Sequence, residues 1–169
     1  TDLEGFLYGE THTFQKNTSV EKILRRFLAD FEQEVINLSL EDKYKSQGLT
    51  LYEGITLASI VQKETLNDLD DKKMVAGVFF NRMKAGMTLG SDVTYQYAAD
   101  KLGIKRDFNL DNPYNLRLHK GLTPTPISTP GVSTLKAVAE PAQHNFLFFL
   151  NGDDDKTYFG KTDAEHQKN

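Results

Sequence analysis

The stretch "ASIVQKETLND", residues 58 to 68, puts a carboxylate where an apolar side chain is expected. A helix advances about 100° per residue, so Leu57, Ile60 and Val61 share one stripe. Glu64 lies three residues after Val61 and four after Ile60, in the middle of that stripe, while Gln62 and Lys63 point elsewhere. Glu53 approaches the same face, but it also sits three residues after Thr50 and is explained by a capping box. Glu64 has no such explanation. It falls near the C-terminal end of its helix, where the dipole disfavours negative charge. A half-desolvated carboxyl there should have a raised pKa and hold its proton near neutral pH. That is what a general acid requires, and protonation of a glycosidic oxygen is one reaction that uses it. The plainer alternative is a helix-end glutamate whose stem packs and whose head reaches solvent.

Other groupings carry less chemistry. The four histidines have no metal-ligand spacing. "NGDDDK", with Asp153, Asp154 and Asp155, lacks the spaced ligands and closing glutamate of a calcium loop and is expected to be a solvated turn. No GxSxG elbow and no phosphate loop occurs, and no role suggests itself for Ser59. No metal or other cofactor is expected. In "GSDVTYQY", Ser91 and Asp92 suit either a helix cap or a site.

The elements that must position these residues can be read along the chain. "LEGFLYGETHTF" is aromatic and partly alternating, with Phe6, Tyr8, His12 and Phe14 in phase, and suggests an extended strand pair. "NTSVEKILRRFLADFEQEVINL" has a helical stripe from Val20 to Val35 and a possible Thr18–Glu21 capping box. "LYEGITLASIVQKETL" is the helix carrying Glu64. "KKMVAGVFFNRMKAGM" is another, with Met74, Val75, Val78, Phe79 and Met83 facing inward, and "SDVTYQYAADKLG" is a shorter one. Prolines 113, 124, 126 and 130 then exclude regular structure. "STLKAVAEP" is a short helix, "NFLFFLNGDDDKTYFGK" a β-hairpin and "DAEHQKN" a terminal helical turn. The sum is a single α+β domain over residues 1–169, mostly helical, with a small antiparallel sheet and a lysozyme-like helix bearing one glutamate.

The chain has 169 residues, enough for one real core, and a net charge of -4. That charge gives no basic footprint, so nucleic acid is not an expected partner. Without cysteine there is neither disulfide nor thiolate chemistry. No apolar run approaches the roughly 20 residues of a membrane helix. The chain opens on Thr1 rather than Met, and a fragment or processed form is expected.

Five blocks in order resemble the catalytic domain of the YceG-like family of endolytic murein transglycosylases: "LEGFLYGETHTF", "ITLASIVQKET", "VAGVFFNRMKAGMTLGSDVTY", "NPYNLRLHKGLTPTPISTPG" and "FLFFLNGDDDKTYFGKTDAEH". The resemblance implies that the second glutamate of the family's VEKE stretch, here Glu64, is the catalytic acid. Gln62 replaces the first glutamate, on the opposite side of the wheel. The resemblance also offers Ser91, Asp92, Tyr114, Asn115 and Glu10 as candidates for holding the sugar, with the proline-rich loop Gly121–Gly131 as a groove wall. Gly9, Gly90, Val93, Leu116, Thr123 and Thr125 depart from the family's pattern and are expected to line that groove.

The activity so implied is cleavage of the MurNAc-β-1,4-GlcNAc bond within peptidoglycan strands, leaving 1,6-anhydro-MurNAc ends. It implies peptidoglycan strands and peptidoglycan synthases as partners. It also implies a place on the outer face of the bacterial cytoplasmic membrane, reached through an upstream anchor and LysM-like subdomain not in this chain. Two alternatives stand beside it: a lysozyme-type hydrolase using Asp92 or Glu10 as second acid, and a non-catalytic peptidoglycan-binding domain.

Overall fold

The burial of one helix organises the molecule. In the computed structural model, which describes residues 3–9, 11–65 and 68–168, helix α3 (Leu51–Glu64) is buried continuously from Gly54 to Val61. The apolar stripe expected from periodicity is therefore a full circumference. Thr50 starts α3 with the expected capping box: its hydroxyl accepts from the Glu53 amide at 3.2 Å and Glu53 Oε2 accepts from its own amide at 2.8 Å.

Helices α4 (Leu69–Lys84) and α6 (Val132–Ala139) pack on α3, with Val75, Val78, Phe79, Leu135 and Val138 fully buried between them. Met74 and Met83 are only partly buried, because they flank this seam. Helix α1 (Val20–Asn37) lies at the edge of the core. Phe31 is its single buried residue, and Ser19 rather than Thr18 caps it, accepting from Lys22 N; the Thr18–Glu21 box does not form. The strand pair expected near the start does not form among the described residues either. That segment spends its aromatics on other rings, Phe6 on Phe31 at 5.6 Å and His12 on Phe27 at 4.8 Å.

Helix α2 (Leu40–Ser46) is not foreshadowed by the sequence pattern. It buries Leu40 and Tyr44 completely, and Tyr44 donates to Leu135 O at 3.0 Å. Gly54 makes this possible: a Cβ there would lie 2.1 Å from the Tyr44 ring. Helix α5 (Asp92–Leu102) follows a tight segment in which Gly90 N donates to Leu116 O at 2.8 Å.

Strands β1 (Phe148–Asn151) and β2 (Thr157–Gly160) form the antiparallel hairpin, with Phe148 opposite Gly160 and Asn151 opposite Thr157. The acidic turn is exposed, and Asp154 accepts from Tyr158 at 2.9 Å. Helix α7 (Asp163–His166) closes back on both strands. The outcome is the α+β, mostly helical domain with one two-stranded sheet that the sequence led us to expect.

Candidate active site

Glu64 is the last residue of α3, at the point where the helix leaves the core. Its side chain opens on a cleft of about 410 Å³. It is lined by Phe79 and Arg82 of α4, by Leu89, Gly90, Ser91 and Asp92 at the start of α5, by Arg117, and by Phe149, Leu150 and Asn151 of β1. The hairpin is docked here by a specific contact: Asn151 Nδ2 donates to Glu64 O at 2.8 Å. That satisfies one of the carbonyls a helix end leaves unpaired. Thr157 sets the Asn151 amide, its hydroxyl lying 3.0 Å from Oδ1.

Ser91 is buried, and its hydroxyl donates to Glu64 Oε1. Burial raises the Glu64 pKa from its ordinary value; the Ser91 hydrogen bond pulls it down, the Asp92 charge raises it further and the Arg82 charge lowers it. Arg82 is held in turn by two carbonyls, Leu147 O at 2.6 Å and Leu89 O, and lies 5.2 Å from the centre of the Phe148 ring. Desolvation lowers the Arg82 pKa and the Glu64 charge raises it. A carboxyl of raised pKa, with one oxygen fixed by a hydroxyl and a fixed cation nearby, can give up a proton and remain stable as a carboxylate afterwards.

The candidate site residues fall into distinct places. Ser91 and Asp92 share the cleft with Glu64. Neither caps α5: Ser91 is its N-cap residue but makes no side-chain cap, and Asp92 accepts from Arg117 Nη1 at 2.5 Å. Asn115 is fully buried and spends its side chain on the backbone, donating to Phe108 O and Leu110 O at 2.9 Å each and accepting from Arg117 N at 3.1 Å. It shapes the loop that carries Arg117 and, fully buried, exposes no group to a sugar. Tyr114 does not line the Glu64 cleft; its hydroxyl lies 2.8 Å from Thr125 Oγ1. Glu10 lies outside the described residues.

The proline-rich loop is not a wall of this cleft, and β1 takes that place. The loop is pinned behind α3, where Ile127 N donates to Ser59 Oγ at 2.9 Å and Ser128 Oγ to Ser59 O at 2.9 Å. Ser59 therefore does have a role. So does Gln62, which points away from Glu64 as expected but is not idle. Its Oε1 accepts from Gly131 N at 3.0 Å and from Thr134 Oγ1 at 2.7 Å, tying the start of α6 to α3. Of the positions departing from the family's pattern, Gly90 lines the cleft and Leu116 is core. Gly90 has φ 65°, and a Cβ there would meet Arg82 Nη1 at 2.5 Å. Periodicity could not reveal Arg82, Arg117, Asn151 or His166 as cleft residues, because only the tertiary fold joins them to Glu64.

The model of the YceG-like family matches residues 1–169, the whole chain. The protein belongs to the YceG-like family. Two relatives, both endolytic murein transglycosylases, come from Streptococcus pneumoniae (strain ATCC BAA-255 / R6) and Bacillus subtilis (strain 168). The first is 32% identical over 99% of this chain and 31% of its own length. The second is 34% identical over 98% of this chain and 46% of its own length. The crystal structure of a yceG-like protein from Listeria monocytogenes superposes with a TM-score of 0.86 at 34% identity, covering 98% of this chain and 55% of that one. This YceG-like chain thus spans a third to a half of the relatives' lengths and little more than half of the solved chain.

Proposed function

We propose that this domain is a lytic transglycosylase that cleaves the MurNAc-β-1,4-GlcNAc bond inside peptidoglycan strands and leaves 1,6-anhydro-MurNAc ends. The observation that carries the proposal is the setting of Glu64: a carboxyl of raised pKa at a cleft, bonded to Ser91, within the field of Arg82. That the relatives from Streptococcus pneumoniae and Bacillus subtilis are endolytic murein transglycosylases supports the substrate.

Ser91 occupies Oε1 as a donor, so the Glu64 proton resides on Oε2 and is available to the glycosidic oxygen. Protonation breaks the bond from that oxygen to MurNAc C1, the hydroxyl of the departing GlcNAc takes the proton, and positive charge develops at C1. Glu64 is now a carboxylate, stabilised by the Ser91 hydrogen bond and the Arg82 charge. It removes the proton of the MurNAc C6 hydroxyl as that oxygen bonds to C1. Glu64 ends protonated again, and no water is consumed. The nucleophile is tethered to the sugar it attacks, so little entropy remains to be lost in bringing the two together. One carboxyl group serves both proton transfers.

Asp92 supports a second reading, lysozyme-type hydrolysis, because it lines the same cleft. Its Oδ1 is already engaged by Arg117 Nη1 at 2.5 Å, which ties up that oxygen and argues against it as the base that activates a water. Activity on purified peptidoglycan tests both. Glu64→Gln removes the acid and abolishes fragment release while the fold is kept. Asp92→Asn leaves most turnover under the proposal and eliminates it under the hydrolytic reading.

The glycan strands of peptidoglycan lie outside the cytoplasmic membrane, so the proposal puts the domain there. Among the described residues no helix is long and apolar enough to cross a membrane.

A further inference from the structure

His166 is the last residue of α7, far from Glu64 in sequence, and it lines the Glu64 cleft. Its ring stacks on Phe148, with centroids 5.4 Å apart and planes 26° apart. Phe148 also faces the Arg82 guanidinium, so one ring supports both side chains. The short helix is fixed by its own caps. Thr162 Oγ1 accepts from Glu165 N at 3.2 Å, and Glu165 Oε2 from Lys161 N at 2.7 Å. Gly160 lets it settle close: a Cβ there would stand 3.2 Å from His166 N. The ring is therefore held in place by elements that would position it for a ligand.

His166 Nδ1 is buried and has no hydrogen-bond partner. A buried, unpaired N–H is costlier and rarer than an unpaired acceptor. The neutral ring therefore carries its hydrogen on Nε2, a tautomer assigned by this argument. Nε2 is not among the buried unpaired atoms and has no partner among the described residues. It is an open N–H donor on a held ring at a cleft that already contains an acid. We propose that His166 is a substrate-binding residue of this cleft, donating from Nε2 to an oxygen of the glycan, either a ring hydroxyl or an acetamido carbonyl. The inference rests on the functional reading above and adds to it a contact delivered by the hairpin and α7.

The test compares His166→Phe, which keeps a ring to stack on Phe148 and loses the donor, with His166→Gln, which keeps an N–H donor. Wild-type and variant proteins are assayed for kcat and KM on purified peptidoglycan, for Tm, and, in a Glu64→Gln background, for Kd to isolated glycan strands. His166→Phe is expected to raise KM and Kd about 10-fold, a loss of ~1.4 kcal/mol, with kcat within about threefold and Tm nearly unchanged. His166→Gln is expected to recover part of that loss. Unchanged KM and Kd in His166→Phe overturn the proposal, as does a loss that follows Tm or one that His166→Gln does not relieve. A wild-type protein that releases no fragments overturns the functional reading instead, while the Kd comparison still reports on His166.

Discussion

Replacing Ser91 by alanine removes one hydroxyl whose hydrogen bond is to the Glu64 carboxyl. The side chain is buried and does not cap α5, so little helix stability is at stake. The loss falls on the carboxylate. A hydrogen bond to a charged group is worth about 1.5–3 kcal/mol, which corresponds to roughly 10- to 100-fold in a rate or an equilibrium at ~1.4 kcal/mol per decade. Its direction in pH is fixed by the structure. The Ser91 bond lowers the Glu64 pKa, opposing the burial that raises it, so its removal raises that pKa further. The alkaline limb of kcat/KM, where the acid loses its proton, should move to higher pH in Ser91→Ala. The plateau should fall by about 10- to 100-fold, because the carboxylate formed on proton transfer has lost its donor. Fragment release from purified peptidoglycan across a pH series, with Tm measured alongside, reads both effects. A limb that moves to lower pH, or a profile like that of the wild type, would refute the proposed pairing of Ser91 with Glu64 as the acid.

Glu64→Gln should change stability with a definite pH dependence. Folding raises the Glu64 pKa, so the folded state binds more protons than the unfolded one between the two values, and wild-type stability falls as pH rises through that window. The variant escapes this loss. Its Tm relative to wild type should therefore be higher at pH 8 than at pH 4, and a gap of opposite sign would contradict the burial argument. Gln62→Ala removes the acceptor for Gly131 N and Thr134 Oγ1, and the loss of these two hydrogen bonds should cost about 1–2 kcal/mol. That is roughly 2–8 °C in Tm for a domain of this size, with kcat/KM per folded molecule unchanged; thermal melts and activity at low temperature check it. Ser59→Ala leaves the Ile127 amide buried without its partner and should cost about 1–3 kcal/mol in denaturant titrations.

The legible features of this chain are the local ones. The Thr50–Glu53 box, the helices from "LYEG", "KKMV" and "STLK", and the hairpin are encoded within spans of one element, and all of them form. Glu64 stood out because its neighbours at three and four residues are apolar, a relation internal to one helix. Helix α2 escaped because "LEDKYKS" is short and charged, and Tyr44 is accommodated by Gly54 and bonded to Leu135 rather than belonging to a stripe of its own. Gln62 and Ser59 looked idle on the wheel because their partners lie on the proline-rich loop and α6. Asn115, suggested by resemblance, is occupied by carbonyls that no motif displays. The rest of the cleft follows from packing: Arg82 reaches Glu64 from α4, Asn151 and His166 arrive with the hairpin, and Arg117 is delivered by the loop that Asn115 folds.

The most direct test of internal attack is the mass of the new MurNAc ends released from purified peptidoglycan by the wild-type domain. Attack by the C6 hydroxyl adds no water, so the account predicts ends lighter by one water than hydrolytic ends and inert to borohydride. Glu64→Gln should give no such ends. Fragments whose MurNAc ends carry the added water and are reduced by borohydride would contradict the account, and Asp92 would then be the first residue to examine as the base that activates water.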